Sequence, residues 1–395
     1  MRRHVTISAV IAAGLLALMG AVGFAAPLNA PVLTSATSST TGIHNSQTVV
    51  GVSFLNAKQG YALIRTYSIT VEVPYRLDLY STSDGGAAWR HVSLVRSSVA
   101  WAEDMPIEND LLVFANDRDG LIWLNTSQLL ITHDGGLTWR SLSVDGLVMA
   151  AVLANQRFIL QIGQGRCGLG PLGICSVNRL TSLPIDGYRT APLKGVPTGM
   201  LQLGISQAGP LLLWSEHSVY LSVDGGTTWL RRSLPDPHEC GEPQTVFVAS
   251  SGPSALLFIC DEGTPGPDNP KWVYRSTDGG ESWQLVARTD RYLRLRPIGH
   301  VTEDGAIWGL AALSPARAVM VVQGAISSSA DAGKDWTGTG LLGWPGGGLV
   351  CNGRNDCWAG WTAASTNPKT NAISSQPAIL RTTNGGRTWQ AAVLR

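Results

Sequence analysis

The sequence predicts an all-β fold assembled from repeated antiparallel units, on three observations. A short motif recurs six times, and the steps between its copies are 50, 90, 54, 53 and 53 residues. Each copy lies between two short apolar runs, such as residues 77–80 and 91–94. The 45 glycines and 14 tryptophans fit many tight turns with one large ring at each. A fixed period of this size is typical of a repeat architecture.

The motif has a hydroxyl residue, an Asp or Asn two positions later, a glycine pair (reduced to Ala332–Gly333 in one copy), and a Trp five residues after the Asp or Asn. An Asp at the start of a turn accepts hydrogen bonds from nearby backbone N–H groups, and glycine adopts positive φ without strain. The pattern therefore predicts hairpin turns with a structural role, which we favour over a role in binding ligand or metal. The paired residues are Asp84 and Trp89, Asp134 and Trp139, Asp224 and Trp229, Asp278 and Trp283, Asp331 and Trp336, and Asn384 and Trp389.

These residues resemble the Asp-box, or BNR repeat, Ser/Thr-x-Asp-x-Gly-x-Thr-Trp, of β-propeller proteins. The resemblance implies that each motif lies in the turn between the third and fourth strands of a blade and takes no part in catalysis. The 90-residue step spans about two periods, so one blade is expected to lack its motif, with residues 179–187 as the degenerate turn. We predict a single seven-bladed β-propeller of four-stranded antiparallel blades over residues 46–395. The whole unit is similar to bacterial propellers related to the photosystem II assembly factor and, more loosely, to sialidases and xyloglucan-processing glycosidases.

The N-terminus reads as a targeting segment. Residues 1–26 combine the basic start Met1–His4 with a long apolar run and small residues before a possible cleavage site, as in a signal peptide. An uncleaved membrane anchor is the alternative. Residues 27–45 are rich in Ser, Thr and Pro and predict a flexible linker. We expect a secreted or extracytoplasmic monomer that contacts a membrane only through an uncleaved leader.

Charge and histidine placement exclude several classes of function. Without Arg2 and Arg3 of the leader, 27 basic residues face 28 acidic ones, which is a poor balance for binding nucleic acid. The seven histidines are scattered and no zinc-protease motif occurs. We therefore expect no cofactor and no metal.

Six cysteines in an exported protein favour disulfides over zinc ligands. Zinc binding is the alternative, but no Cys-x-x-Cys pair occurs and the triplet His238–Cys240 is isolated. Proximity along the chain favours three pairs, namely Cys167 with Cys175, Cys240 with Cys260, and Cys351 with Cys357.

The two faces of the predicted ring differ in loop length. The first-to-second and third-to-fourth turns of each blade open on one face, which we call the corner face, and these turns are short. The second-to-third turns and the links between blades open on the opposite face, which we call the long-loop face. Functional residues concentrate on long loops held by a rigid scaffold, so that face is the candidate functional surface. The long insertions are residues 65–76, 101–110, 163–177, 261–271, 288–304 and 363–376.

One acidic insertion on this face carries possible glycosidase chemistry. Trp101, Glu103 and Asp104 lie together, and paired carboxylates can act as general acid and base on a glycosidic bond. Asp261, in another insertion, is a further candidate. A solvated acidic loop is the favoured interpretation, so no catalytic residue is assigned.

A second insertion is rich in arginine. Arg288, Arg291, Tyr292, Arg294 and Arg296 lie within nine residues and could bind a carboxylate or phosphate, although a role in partner docking or solubility is favoured. The early arginine motif of sialidases has its nearest counterpart at residues 74–77, which lack the final proline.

The leading hypothesis is an exported, non-enzymatic scaffold that binds a protein or glycan through the long-loop face. The arginines would supply cationic contacts, and Trp101, Glu103 and Asp104 would supply aromatic and acidic ones. The alternative is a glycoside hydrolase of sialidase-like or xyloglucan-processing type. The fold alone does not decide between the scaffold and the glycoside hydrolase.

Overall fold

The computed structural model describes fourteen stretches of the chain, and all lie in one compact unit that runs from Ile43 to Arg395. The predicted leader and all of the predicted linker except Asn45 fall outside them. The stretches are residues 45–68, 75–98, 111–124, 127–167, 175–197, 202–205, 210–215, 218–235, 246–261, 271–288, 307–322, 325–338, 344–366 and 373–394.

The described residues form 28 strands in seven four-stranded antiparallel sheets, which confirms the predicted seven-bladed β-propeller. Blade 1 has β1 (Asn45–Phe54), β2 (Gly60–Ser68), β3 (Tyr75–Thr82) and β4 (Arg90–Ser98). Blade 2 has β5 (Leu112–Phe114), β6 (Gly120–Trp123), β7 (Gln128–Thr132) and β8 (Arg140–Ser143). Blade 3 has β9 (Leu147–Ala154), β10 (Arg157–Cys167), β11 (Cys175–Pro184) and β12 (Ala191–Pro192).

The remaining four blades follow the same order. Blade 4 has β13 (Gln202–Ile205), β14 (Leu211–Trp214), β15 (Ser218–Ser222) and β16 (Leu230–Ser233). Blade 5 has β17 (Val246–Ser250), β18 (Leu256–Asp261), β19 (Lys271–Ser276) and β20 (Gln284–Arg288). Blade 6 has β21 (Ile307–Ser314), β22 (Arg317–Val322), β23 (Ala325–Ser329) and β24 (Thr337–Gly338). Blade 7 has β25 (Trp344–Asn352), β26 (Asp356–Thr366), β27 (Ile373–Thr382) and β28 (Gln390–Val393). No helix in the described ranges could cross a membrane.

In the part of the chain that the structure describes, the ring closes without exchange of strands between blades 1 and 7. Each blade is built from one continuous segment, and β28 is the fourth strand of blade 7. The first strands of neighbouring blades contact one another in order around the ring, and β1 contacts β25. Contacts between β1 and the strands of blade 7 therefore close the ring.

The seam between blades 7 and 1 repeats a contact found elsewhere in the ring. Trp358 of β26 stacks on Phe54 of β1 with ring centroids 3.8 Å apart, as Tyr61 of β2 stacks on Phe114 of β5 at 3.6 Å. The glycine before Tyr61 has a steric reason, because a Cβ on Gly60 would lie 2.5 Å from the Phe54 ring. The recurring Gly-aromatic sequence thus leaves space for the ring of the strand beside it.

Blade 3 lacks the motif, as the spacing predicts. The turn between β11 and β12 follows Pro184, and the backbone N–H of Gly187 donates to the Pro184 carbonyl at 3.0 Å. The predicted degenerate stretch, residues 179–187, therefore covers the end of β11 and the start of that turn.

The described cysteines lie at strand pairings or in disulfides. Cys351 and Cys357 pair across β25 and β26 and are joined by a disulfide. Cys167 pairs in register with Cys175 across β10 and β11, and Cys260 is disulfide-bonded. Cys240 lies outside the described residues.

Candidate functional site

The motif turns between the third and fourth strands, here called corners, form hydrogen bonds among their own polar groups. In blade 1, Asp84 accepts hydrogen bonds from the Thr82 hydroxyl at 2.8 Å and from the Ala88 backbone N–H at 3.0 Å. The Thr82 oxygen accepts from the Gly86 N–H at 2.9 Å, and the Trp89 indole donates to the Gly86 carbonyl at 3.0 Å. Backbone donation from Ala88, followed by the Thr82 hydroxyl, lowers the pKa of Asp84. The Asp84 carboxylate thus forms its hydrogen bonds within the turn.

Blade 4 shows the same electrostatics more strongly. The Thr228 hydroxyl and the Thr228 backbone N–H, followed by the Ser222 hydroxyl, lower the pKa of Asp224 to about 2. The distances from Asp224 are 2.6 Å to the Thr228 hydroxyl and 2.9 Å to its nitrogen. Hydrogen bonds to the ionised form favour that form, so the carboxylate remains charged through the neutral and mildly acidic range.

The corners also connect neighbouring blades. The Trp358 indole of blade 7 donates to the Gly85 carbonyl in the blade 1 corner at 3.0 Å. Arg317 of blade 6 donates to the Asn384 carbonyl in the blade 7 corner at 2.6 Å. Trp283 departs from the common pattern, because its indole donates to the Ser233 carbonyl of blade 4 at 2.9 Å. Much of the hydrogen-bonding capacity of this face is used within the ring.

The structure describes only part of the predicted long-loop site. Asp261 and Arg288 lie in described strands of blade 5, at the end that faces the long loops. The other predicted site residues lie outside the described residues, and these are Trp101, Glu103, Asp104, Arg291, Tyr292, Arg294 and Arg296.

The pairing of three strands brings the described part of the site together. Asp261 pairs with Lys271 and Cys260 with Trp272 across β18 and β19, and Trp272 pairs in turn with Arg288 of β20. The Arg288 guanidinium lies over the Trp272 ring, 4.1 Å from its centroid. We call Asp261, Lys271, Trp272 and Arg288 the blade 5 edge.

The side chains of the blade 5 edge differ in exposure. Lys271 and Trp272 are buried, whereas Arg288 is exposed. The Trp272 Nε1 atom is buried and has no hydrogen-bond partner. Leaving a buried donor unpaired costs about 1–3 kcal/mol.

Arg288 is positioned by the Trp272 ring, and its charge is not paired with a described carboxylate. A guanidinium that lies on an aromatic face keeps its N–H edge free for a carboxylate, a phosphate or a carbonyl. Within the described ranges, Arg288 is within ion-pair distance of no carboxylate. The blade 5 edge can therefore recognise an anionic or hydrogen-bond-accepting group.

A second tryptophan lies between blades 4 and 5. The Trp214 indole donates to the Val246 carbonyl at 2.9 Å, and Trp214 belongs to the same buried cluster as Trp272. Trp214 is thus hydrogen-bonded within the core, in contrast to Trp272. Among the described residues, no group of three or more metal-ligating side chains could hold a metal ion.

Comparisons with known proteins agree with the geometry. A family model described as BNR/Asp-box repeat matches residues 274–285, which include Asp278 and Trp283. The structure of YCF48 bound to D1 peptide superposes with a TM-score of 0.51 at 16% identity, covering 89% of this chain and 100% of that one. YCF48 from Cyanidioschyzon merolae gives a TM-score of 0.50 at 11% identity, over 86% of this chain and 96% of that one. The chain is a BNR-type β-propeller.

Sequence relatives match the propeller over shorter stretches. Xyloglucanase Xgh74A of Acetivibrio thermocellus is 26% identical over 116 residues, which is 29% of this chain. The chain spans 12% of the length of that relative. The two YCF48 structures show a shared fold, and the xyloglucanase shows a related segment.

Proposed function

We propose that this propeller is a non-enzymatic scaffold that acts outside the cytoplasm and binds a protein or glycan partner on its long-loop face. One observation carries the proposal: Arg288 is exposed and lies on Trp272, whose buried indole N–H has no acceptor. A partner that offers a carboxylate or carbonyl oxygen would pair with the Arg288 guanidinium. The arginines at positions 291, 294 and 296 and the acidic insertion with Trp101, Glu103 and Asp104 would extend the surface.

A protein partner is the form of the proposal that the comparisons favour. YCF48 has been solved with D1 peptide, and it shares this fold along nearly the whole described chain. A peptide supplies backbone carbonyls and a carboxyl terminus, which are acceptors for the Arg288 guanidinium. The leader and the Cys351–Cys357 disulfide support an extracytoplasmic location.

The alternative is a glycoside hydrolase, which the aligned segment of the xyloglucanase favours. Hydrolysis needs two carboxylates about 5–10 Å apart across the bond. Asp261 ends β18 beside Lys271, and the candidate second carboxylates, Glu103 and Asp104, lie outside the described residues. No such pair can therefore be assigned within the described ranges.

The test compares binding with hydrolysis. The full chain and its Arg288→Gln variant are immobilised, and proteins recovered from the extracytoplasmic fraction of the host are identified by mass spectrometry. We expect a partner that the wild type recovers and Arg288→Gln loses. Gln284→Ala is the matched control, because Gln284 is an exposed residue at the other end of the same strand.

The second arm measures reducing sugar released from xyloglucan and sialic acid released from a sialylated glycoprotein. Turnover that disappears in Glu103→Gln or Asp104→Asn would overturn the scaffold proposal. Partner recovery that is equal for wild type and Arg288→Gln would remove the blade 5 edge from it.

A further inference from the structure

Exposed apolar side chains gather on the corner face of three consecutive blades. Most large hydrophobic residues of the described chain are buried, and four of the six exposed ones lie at or beside the third-to-fourth-strand turns of blades 2, 3 and 4. The other two, Leu94 and Leu285, lie within the fourth strands of blades 1 and 5. The four at the turns are Leu137, Tyr188, Val223 and Leu230.

The motif itself does not demand these apolar residues. Leu137 is 64% exposed and Val223 is 74% exposed, so neither packs into the ring. The position of Leu137 is occupied in the other copies by Ala87, Thr227, Glu281, Lys334 and Arg387, and that of Val223 by Ser83, His133, Thr277, Ala330 and Thr383. Because polar residues serve equally well in the same turn, the apolar side chains have no evident role in folding.

The turn of blade 3 that lacks the motif contacts the corner of blade 2 through side chains. Arg140 lies over the Tyr188 ring, with its guanidinium carbon 4.4 Å from the centroid. His133 meets Tyr188 edge-on, with centroids 4.8 Å apart, and its Nδ1 lies 2.6 Å from Asp119. These contacts hold Tyr188 on the surface beside the blade 2 motif, while its ring remains partly exposed.

The blade 4 corner lies beside blade 3. A Cβ on Gly225 would lie 2.3 Å from Asn155, in the turn between β9 and β10, and one on Gly226 would lie 3.1 Å from Leu193, which follows β12. Val223 and Leu230 flank these glycines in sequence. The blade 4 corner therefore lies against blade 3, as the blade 2 corner does through Arg140 and His133.

The charges near Tyr188 favour an acidic partner. Arg140 and Arg189 are exposed, and within the described ranges neither pairs with a carboxylate. Asp134 and Asp224 direct their oxygens into their own turns, and Asp186, in the same turn as Tyr188, is paired with neither arginine. A stacked guanidinium retains N–H groups for an incoming carboxylate.

We propose that Leu137, Arg140, Tyr188, Val223 and Leu230, here called the blade 2–4 corner surface, dock a segment of a partner protein that carries both acidic and apolar side chains. Apolar side chains of the segment would cover Leu137, Tyr188 and Val223, and a carboxylate would pair with Arg140. This surface is separate from the long-loop face, so the propeller would hold two partners, or two parts of one, on opposite faces.

The test selects peptides on the intact protein. A random peptide library displayed on phage is selected against the full chain, and the synthesised winners are measured by fluorescence anisotropy. We expect sequences rich in Asp or Glu together with Leu, Ile, Phe or Trp. Tyr188→Ala and Arg140→Gln should each weaken such peptides by about tenfold or more, equivalent to about 1.4 kcal/mol.

Two control variants separate this surface from the others. Arg387→Gln changes an exposed arginine in the blade 7 motif, and Arg288→Gln changes the blade 5 edge; both should leave peptide affinity unchanged. Because Tyr188→Ala removes contacts with two residues, Val223→Ser, at a nearly free side chain, supplies a variant whose folding is not in question. It should also weaken binding.

Three results of the peptide measurements would overturn the proposal. These are selection of basic or purely polar peptides, affinities that none of Tyr188→Ala, Arg140→Gln and Val223→Ser changes, and loss of binding in Arg288→Gln alone. A concentration-dependent dimer that Val223→Ser dissociates would also overturn it, by assigning the surface to a second copy of the chain.

Discussion

The two faces of the propeller use the same kinds of side chain differently. On the corner face, the Trp358 indole donates to Gly85 and the Asp84 carboxylate is hydrogen-bonded within its turn. On the long-loop face, the Trp272 indole has no acceptor and Arg288 has only an aromatic ring beneath it. Residue type therefore does not separate structural from binding positions. What separates them is whether each polar group already has a hydrogen-bond partner. Substitutions at paired and at unpaired positions should therefore differ in their effect on stability.

The largest effect is expected at the seam. Trp358 is fully buried, stacks on Phe54 and joins blade 7 to the corner of blade 1. Trp358→Ala should lower the free energy of unfolding by about 3–5 kcal/mol, because it leaves a cavity at the seam that closes the ring. Urea unfolding followed by far-UV circular dichroism measures this.

Trp358→Phe is the matched control for the seam, since it retains a stacked ring and removes the indole N–H. It should cost less than Trp358→Ala, because most of the cavity is filled. If Trp358→Ala changes the free energy of unfolding by under about 1 kcal/mol, the seam does not depend on this contact, and ring closure must be explained otherwise.

A smaller loss is expected from overpacking beside the same ring. A Cβ on Gly60 would lie 2.5 Å from Phe54, so Gly60→Ala forces one of the two to move. The expected cost is about 1–3 kcal/mol in the free energy of unfolding. Phe54→Leu, added to Gly60→Ala, should recover part of that loss in a double-mutant cycle. Simple additivity of the two changes would argue against the steric explanation.

The corner of blade 4 should make stability depend on pH in acid. The folded pKa of Asp224 is about 2, below the ordinary value of 3.8, so the unfolded chain binds more protons between these values. The contribution of Asp224 is therefore fully present above pH 3.8 and is lost as pH falls through 2. Asp224→Asn should remove this dependence, and the free energies of wild type and variant should converge in acid.

Blade 7 provides the reciprocal change. Asn384 already occupies this position, accepts from the Thr388 backbone N–H at 3.0 Å, and donates to the Thr388 hydroxyl at 2.8 Å. Asn384→Asp should introduce an acid-dependent contribution of the same sign, measured by urea unfolding across the acidic range. If Asp224→Asn leaves the pH profile unchanged, the corner carboxylates are not the source of acid sensitivity.

The fold could be predicted from the sequence much further than the site. The repeat period gave seven blades, and the long step between Asp134 and Asp224 located the blade without a motif, because turn chemistry is local and repeats. The contact between Arg288 and Trp272 is not local in this sense, because it depends on how β19 pairs with β20. That pairing has a register shift between Val273 and Tyr274, and a slip of one residue moves a side chain to the opposite face of a strand.

The exposed position of Tyr188 was not predicted, for a related reason. Its turn lacks the motif, so no pattern indicated which side chain would take the exposed position beside Arg140. Trp283 shows that even a complete motif leaves a choice open, since its indole bonds to the neighbouring blade instead of its own turn. Contacts between blades depend on side-chain packing that a single repeat does not contain.

The smallest effect on stability is expected at the blade 5 edge, where the comparison of the two faces is most easily broken. Arg288 contributes an exposed cation–π contact of about 0.5–1 kcal/mol, so Arg288→Ala should change the free energy of unfolding by no more than this. Urea unfolding measures the change, with Arg317→Ala as the matched control, because Arg317 donates to two residues of blade 7. We expect Arg317→Ala to be the more destabilising substitution. If Arg288→Ala costs as much as Arg317→Ala, the long-loop face holds the ring together as the corner face does, and unpaired groups on it no longer indicate a binding surface.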